Sequence, residues 1–150
     1  MNVERGGYMN IIVCLDDKKG MMFNHRRQSM DRMVRDKIRE ITKSHVLWMN
    51  AYTTKQFLDD HVPVHDLHIA DDFLRQAAVD DYCFVEGQSL KPYEESICKV
   101  CVFNWNRVYP ADQYFDLDLN SKYELESEEE FTGTSHDKIV FQIFVRKELN

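Results

Sequence analysis

Apolar residues fall along this chain in short runs rather than long blocks. Residues 10–15 read Asn-Ile-Ile-Val-Cys-Leu and close on Asp16-Asp17-Lys18-Lys19-Gly20, the pattern of a strand buried on both faces that ends in a polar turn. From Ser29, a good N-cap, Met30, Met33, Val34, Ile38 and Ile41 recur at helical spacing, which predicts an amphipathic helix to about Lys43. A second strand is expected over residues 45–49, and Thr53 or Thr54 is placed to cap a short helix through Phe57 and Leu58. Beyond Pro63 the pattern suggests a short strand through Val62, Val64 and Leu67, then a helix over 69–78. Residues 82–87 read as a strand ending at a glycine, 93–97 as a helix opening near Pro92, and 99–105 as a further strand.

The period then changes. Residues 114–119 and 139–145 alternate with period two, so antiparallel strands are expected there, with an acidic, solvated stretch over 124–130 between them. The order β-α-β-α-β-α-β-α-β followed by β-β predicts an α/β domain of three layers, with helices flanking a mostly parallel sheet that has antiparallel C-terminal strands.

Charge narrows the partners. With 26 acidic against 19 basic side chains the formal charge is −7, a field that repels nucleic acid and anionic membrane. The longest apolar runs are strand length, far below the ~20 residues that span a bilayer. Residues 1–8 are polar and contain no apolar signal core, so a flexible extension is expected before a domain over 9–150. Cys14, Cys83, Cys98 and Cys101 all sit in apolar segments, which favours reduced core thiols and a cytoplasmic location.

Three clusters are candidates for chemistry. Asn24, His25, Arg26 and Arg27, followed by Gln28 and Ser29, set two guanidiniums and an imidazole before a helix start, an arrangement suited to phosphate or carboxylate. Asn104, Trp105 and Arg107 gather an amide, an aromatic ring and a cation at a strand end, where open α/β sheets place ligands. His61, His65 and His68 have helical spacing, but Pro63 interrupts that helix, so no metal is expected. Cys98 and Cys101 have the C-x-x-C form on a strand, where core packing is expected instead of redox chemistry. The common phosphate-loop, nucleophile-elbow and zinc-protease strings are absent.

The order of elements and several strings resemble dihydrofolate reductase. Residues 82–97 (YCFVEGQSLKPYEESI) are similar to the family's strand that ends in a Gly-Gly turn before a short helix, and 99–118 parallel its next strand and loop. Residues 135–147 (SHDKIVFQIFVRK) resemble its final strand. The resemblance implies a dihydrofolate reductase-like domain, with Asp31 at the place of the acidic residue under the pterin ring. It sets Thr53 at the threonine that holds the cofactor phosphate, Glu86 and Gly87 at the Gly-Gly pair, and NADPH as the cofactor. Ala51 stands where the family has a phosphate-facing arginine, Glu86 replaces a glycine, and the Trp-Pro pair is missing.

Two functions follow from the resemblance. One is an NAD(P)H-dependent reductase of a small heteroaromatic substrate, with Asp31 assisting protonation. The other is a non-catalytic module that binds a nucleotide, a pterin-like molecule or a protein partner through Arg26, Arg27 and Trp105. A fainter similarity over residues 24–32 is to short proteins labelled ribonuclease Z, a hydrolase whose H-x-H-x-D-H metal cluster has no counterpart here.

Overall fold

The first apolar run becomes the middle of a sheet. In this computed structural model, which describes residues 8–147, β1 (Met9–Leu15) leads into a hairpin of β2 (Gly20–Phe23) and β3 (Arg26–Arg27). Then come α1 (Arg32–Ile41), β4 (Leu47–Met49), α2 (Ala51–Leu58), β5 (Leu67–Ile69) and the single turn α3 (Phe73–Gln76). β6 (Tyr82–Phe84), a 3-10 helix (Lys91–Ser96), β7 (Ile97–Asn104), β8 (Gln113–Tyr114), α4 (Leu119–Lys122), β9 (Tyr123–Phe131) and β10 (Ile139–Arg146) complete the chain.

The main sheet has the order β5-β4-β6-β1-β7-β10-β9. β1 is parallel to both its neighbours, β6 and β7, whereas β10 is antiparallel to β7 and β9. This is the mostly parallel α/β sheet with antiparallel C-terminal strands that the alternation of elements predicts. Because β1 is covered on both faces, its successive side chains feed two cores. Ile11, Val13 and Leu15 pack with Phe73, Leu90, Phe115 and Leu117, while Ile12 packs with Val34 and Ile38 of α1 and Phe57 of α2. Two arginines of α1, Arg35 and Arg39, reach Asp60 just beyond α2 at 2.7 and 2.6 Å and tie the two helices together.

Several boundaries differ from the sequence pattern, each for a local reason. Helix α1 starts three residues after Ser29, because Asp31 is extended and its carboxylate accepts the Met33 N–H, making it the N-cap. The cap of α2 is Asn50, whose side chain accepts the Thr53 N–H at 2.9 Å, so Thr53 lies in the first turn of the helix and is not its cap. Residues 62–66 form no strand, and the helix expected over 69–78 shortens to α3. Of residues 114–119 only Tyr114 pairs, in a small sheet of order β3-β2-β8, while Phe115, Leu117 and Leu119 turn into the core. The acidic stretch is solvated as expected, yet it is a strand: β9 is the sheet's edge, with Glu124, Glu126, Glu128, Glu129 and Glu130 all exposed. The predicted N-terminal extension lies, apart from Tyr8, outside the described residues. Among the described residues no helix is long and apolar enough to cross a membrane.

Candidate functional site

The carboxyl ends of β1, β6 and β7 lie side by side, and the loops that leave them build the site. Asp16 anchors it. Its buried carboxylate accepts the N–H groups of Lys18 and Gly20 at 2.8 Å, that of Tyr109 at 3.1 Å, and the Gln28 side-chain amide at 3.1 Å. Burial alone would raise its pKa, but these donors favour the anion and hold it below the ordinary value. Gly20 is required here, since a Cβ would come within 2.6 Å of the Ala111 Cβ and 2.7 Å of Gln28 Nε2.

The hairpin β2–β3 turns at Asn24 and His25, both with positive φ (52° and 62°), the backbone of a two-residue type I′ turn. That turn brings Arg27 to Glu86. The guanidinium donates from Nε to Oε2 at 3.0 Å and from Nη2 to Oε1 at 3.1 Å, and it stacks 4.3 Å over the Tyr52 ring. Glu86 also accepts from the Thr53 hydroxyl at 3.0 Å and from Gln56 at 3.3 Å. Arg27, Thr53 and Glu86 thus form one network. Gly87, at φ +94°, is covered: a Cβ there would meet Met22 Cγ and Gln113 Oε1, each at 2.8 Å.

Outside this network a cleft of about 410 Å³ opens between the hairpin and the loop after β7. Phe23, Asn24, Arg26, Arg27 and Gln28 line it from the hairpin and the residue after it, and Tyr109 and Pro110 from the loop after β7. Phe23 is 47% exposed, and Arg26 makes no ion pair among the described residues. Gln28 Oε1 is buried at the cleft wall with no hydrogen-bond partner among the described residues.

The second predicted cluster separates. Trp105 is buried and stacks on His136, with centroids 4.5 Å apart and planes 24° apart, so it offers no ring face to a ligand. Asn104 lines a different cavity of about 250 Å³ beside Leu15 and Asp16. Arg107 is exposed, and its carbonyl accepts the Asp17 N–H. His25 is exposed at the turn outside the cleft lining. Cys98 and Cys101 are free thiols in β7, and among the described residues no three His, Cys, Asp or Glu side chains converge as a metal set.

Asp31 departs furthest from expectation. It is buried, and its carboxylate accepts the N–H groups of Met33, Thr134 and Ser135, each at 2.9 Å. The hydroxyls of Thr134 and Ser135 and the Nδ1 of His136 (2.9 Å) complete its partners. Desolvation raises the pKa, but the Ser135 N–H, His136 and the other donors outweigh it and hold the carboxyl well below the usual range. A proton donor at neutral pH needs the opposite shift, so these donors favour the Asp31 anion over the protonated form that the expected acid role requires. His136, which the sequence reading passed over as part of the last strand, joins this anion to Ser29: its Nε2 is 2.9 Å from Ser29 Oγ and 3.3 Å from the Tyr109 hydroxyl.

Comparison with solved structures decides the architecture. A dihydrofolate reductase from Enterococcus faecalis, complexed with NADP(H) and RAB-propyl, superposes with a TM-score of 0.67 over 95% of this chain and 98% of that one, at 10% sequence identity. The fold is dihydrofolate reductase-like. No protein-family model matches the sequence, and no curated protein matches it. The ribonuclease Z similarity over residues 24–32 falls on the hairpin turn, β3 and the approach to α1.

Proposed function

We propose that this chain is a dihydrofolate reductase-like domain that binds a small anionic ligand with an aromatic part, nucleotide-like or pterin-like, in the cleft bordered by Phe23, Arg26 and Tyr109. The observation that carries this reading is the Arg27–Glu86 pair. It sets a carboxylate against Thr53, the position that the resemblance matches to cofactor-phosphate binding, and a second anion there would meet like charge. Met22 and Gln113 cover the face of Gly87, where a nicotinamide would need close backbone approach. The residues present do not fit a nicotinamide dinucleotide. Arg26 instead supplies a charge to the cleft, Phe23 and Tyr109 supply ring faces, and the Gln28 carbonyl oxygen offers an acceptor.

A thermal-shift titration with nucleoside monophosphates, folate, flavin mononucleotide and NADPH tests this. A ligand at about 100 times its Kd adds about 2.7 kcal/mol to native stability. The expected result is a shift with an anionic aromatic ligand that Arg26→Ala removes and Thr53→Ala leaves unchanged. An NADPH shift abolished by Thr53→Ala would overturn the reading in favour of a nicotinamide-dependent reductase.

A further inference from the structure

Ser29, His136 and Asp31 stand in a line that the ligand cleft does not use. Asp31 Oδ2 lies 2.9 Å from His136 Nδ1, and His136 Nε2 lies 2.9 Å from Ser29 Oγ. A carboxylate only accepts, so the Nδ1 proton points at Asp31, and in the neutral ring Nε2 is left with the lone pair toward Ser29. We propose that Ser29 is a nucleophile activated by His136 and oriented by Asp31, an acyl-transfer triad set on a reductase-type sheet.

The surroundings match the roles such a triad needs. The imidazole is held in place: Trp105 stacks on one face of the ring, and the backbone that carries it is fixed by the Gly133 N–H, which donates to the His136 main-chain carbonyl at 2.8 Å. Asp31 keeps its charge at neutral pH because its remaining lone pairs meet Met33, Thr134 and Ser135, so the negative charge that stabilises an imidazolium is already in place. Ser29 is partly exposed, on the segment between the cleft residue Gln28 and the cap of α1. Tyr109, which borders the cleft, presents its hydroxyl to the same Nε2 at 3.3 Å. One lone pair takes one proton, so when Nε2 accepts from Ser29 the Tyr109 hydroxyl is free to donate to an oxyanion formed beside it.

The step is acyl transfer from an ester. Ser29 Oγ bonds to the carbonyl carbon as its proton passes to His136 Nε2, and the bond from that carbon to the alkoxy oxygen breaks as the proton is returned to the leaving alcohol. Water, deprotonated by the same Nε2, then releases the acid and restores Ser29. The reactivity of Ser29 is independent of the ligand reading above. The choice of an ester carrying an anionic group rests on that reading, through Arg26.

The test uses the full chain and neutral probes. Diisopropyl fluorophosphate is expected to place one adduct on Ser29, located by peptide mass spectrometry, and p-nitrophenyl acetate to release a burst of nitrophenolate that Ser29→Ala abolishes. His136→Gln, which keeps a hydrogen-bonding side chain, should slow labelling by about 10²-fold. Protein unfolded in guanidinium gives the reference rate, so native labelling no faster than this would overturn the proposal even where a variant fails to fold. Labelling of Tyr109 instead of Ser29, or an unchanged rate in a folded His136→Gln, would overturn it too. Preference for an anionic over a neutral ester, lost in Arg26→Ala, tests the cleft reading separately.

Discussion

Arg27 and Glu86 meet in a two-point ion pair, Nε to Oε2 at 3.0 Å and Nη2 to Oε1 at 3.1 Å, that joins the β2–β3 hairpin to the end of β6. Glu86 is the more enclosed partner, its side chain 8% exposed. Arg27→Ala is expected to leave that carboxylate with only Thr53 and Gln56, at a cost of about 3 kcal/mol in denaturant unfolding. The double change Arg27→Met with Glu86→Leu should cost less than Arg27→Ala alone, because no buried charge is stranded. A double variant less stable than the single one would show that the pair contributes net stability.

Acid should unfold the protein through two carboxylates. Arg35 and then Arg39 hold Asp60 well below the usual carboxylate range, against the raising effect of burial, and Asp31 is held low by its N–H donors. Folded pKa values lie below the unfolded value of about 3.9, so the stability these groups confer is full well above it and drains as pH falls through and below it. Urea midpoints measured from about pH 7 down to about pH 3 should fall steeply below about pH 5. Asp60→Asn should flatten that fall while lowering stability at neutral pH; an equally steep fall in the variant would contradict the assignment.

Gly133 sits where a Cβ would overlap the Asp31 carboxylate. Gly133→Ala is therefore expected to push the 133–136 loop off Asp31 and cost about 1–3 kcal/mol. A melting temperature equal to the native one would mean that the loop yields without cost.

Cys83 and Cys101 are buried, and desolvation pushes the Cys101 thiol up to about 12 and Cys83 higher still. Thiolate is the reactive form, so iodoacetamide at about pH 8 should leave both unmodified in the native protein and alkylate them once it is unfolded. Native alkylation of Cys101 would mean that β7 opens locally.

Much of the sheet was legible because its signals are local. The run through Ile11, Ile12 and Val13 marks a strand covered on both faces, and Ile139, Phe141, Ile143 and Val145 mark a strand with one dominant face. The site was legible only in part. Arg26, Arg27 and Asn24 do border a cleft, but whether an arginine is free or paired depends on Glu86, 59 residues away in sequence. The Asn24-His25 turn was not expected as a hairpin, because it lacks the glycine that usually marks a two-residue turn. Nor was His136 legible: it meets Asp31 across 105 residues, a proximity fixed by the loop between β9 and β10 packing on the cap of α1. The surroundings of Asp31 were not legible either, because the number of donors around a carboxylate is set by tertiary contact and leaves no periodic trace.

The glutamates of β9 bear on how copies of this chain meet one another. An open strand edge exposes a row of N–H and C=O groups that any other extended segment can complete, and nature commonly blunts such edges with charge. Here the outermost strand carries Glu124, Glu126, Glu128, Glu129 and Glu130, all exposed, with Leu125 half exposed among them. Two such edges brought together bring like charges face to face, and that repulsion reaches only about 8 Å at physiological ionic strength. Resistance to edge-wise stacking is therefore conditional: the charges that supply it, Glu124, Glu126 and Glu128 above all since Glu129 and Glu130 pair with Lys37 and Lys138, protect the edge only while they are ionised and the salt is moderate.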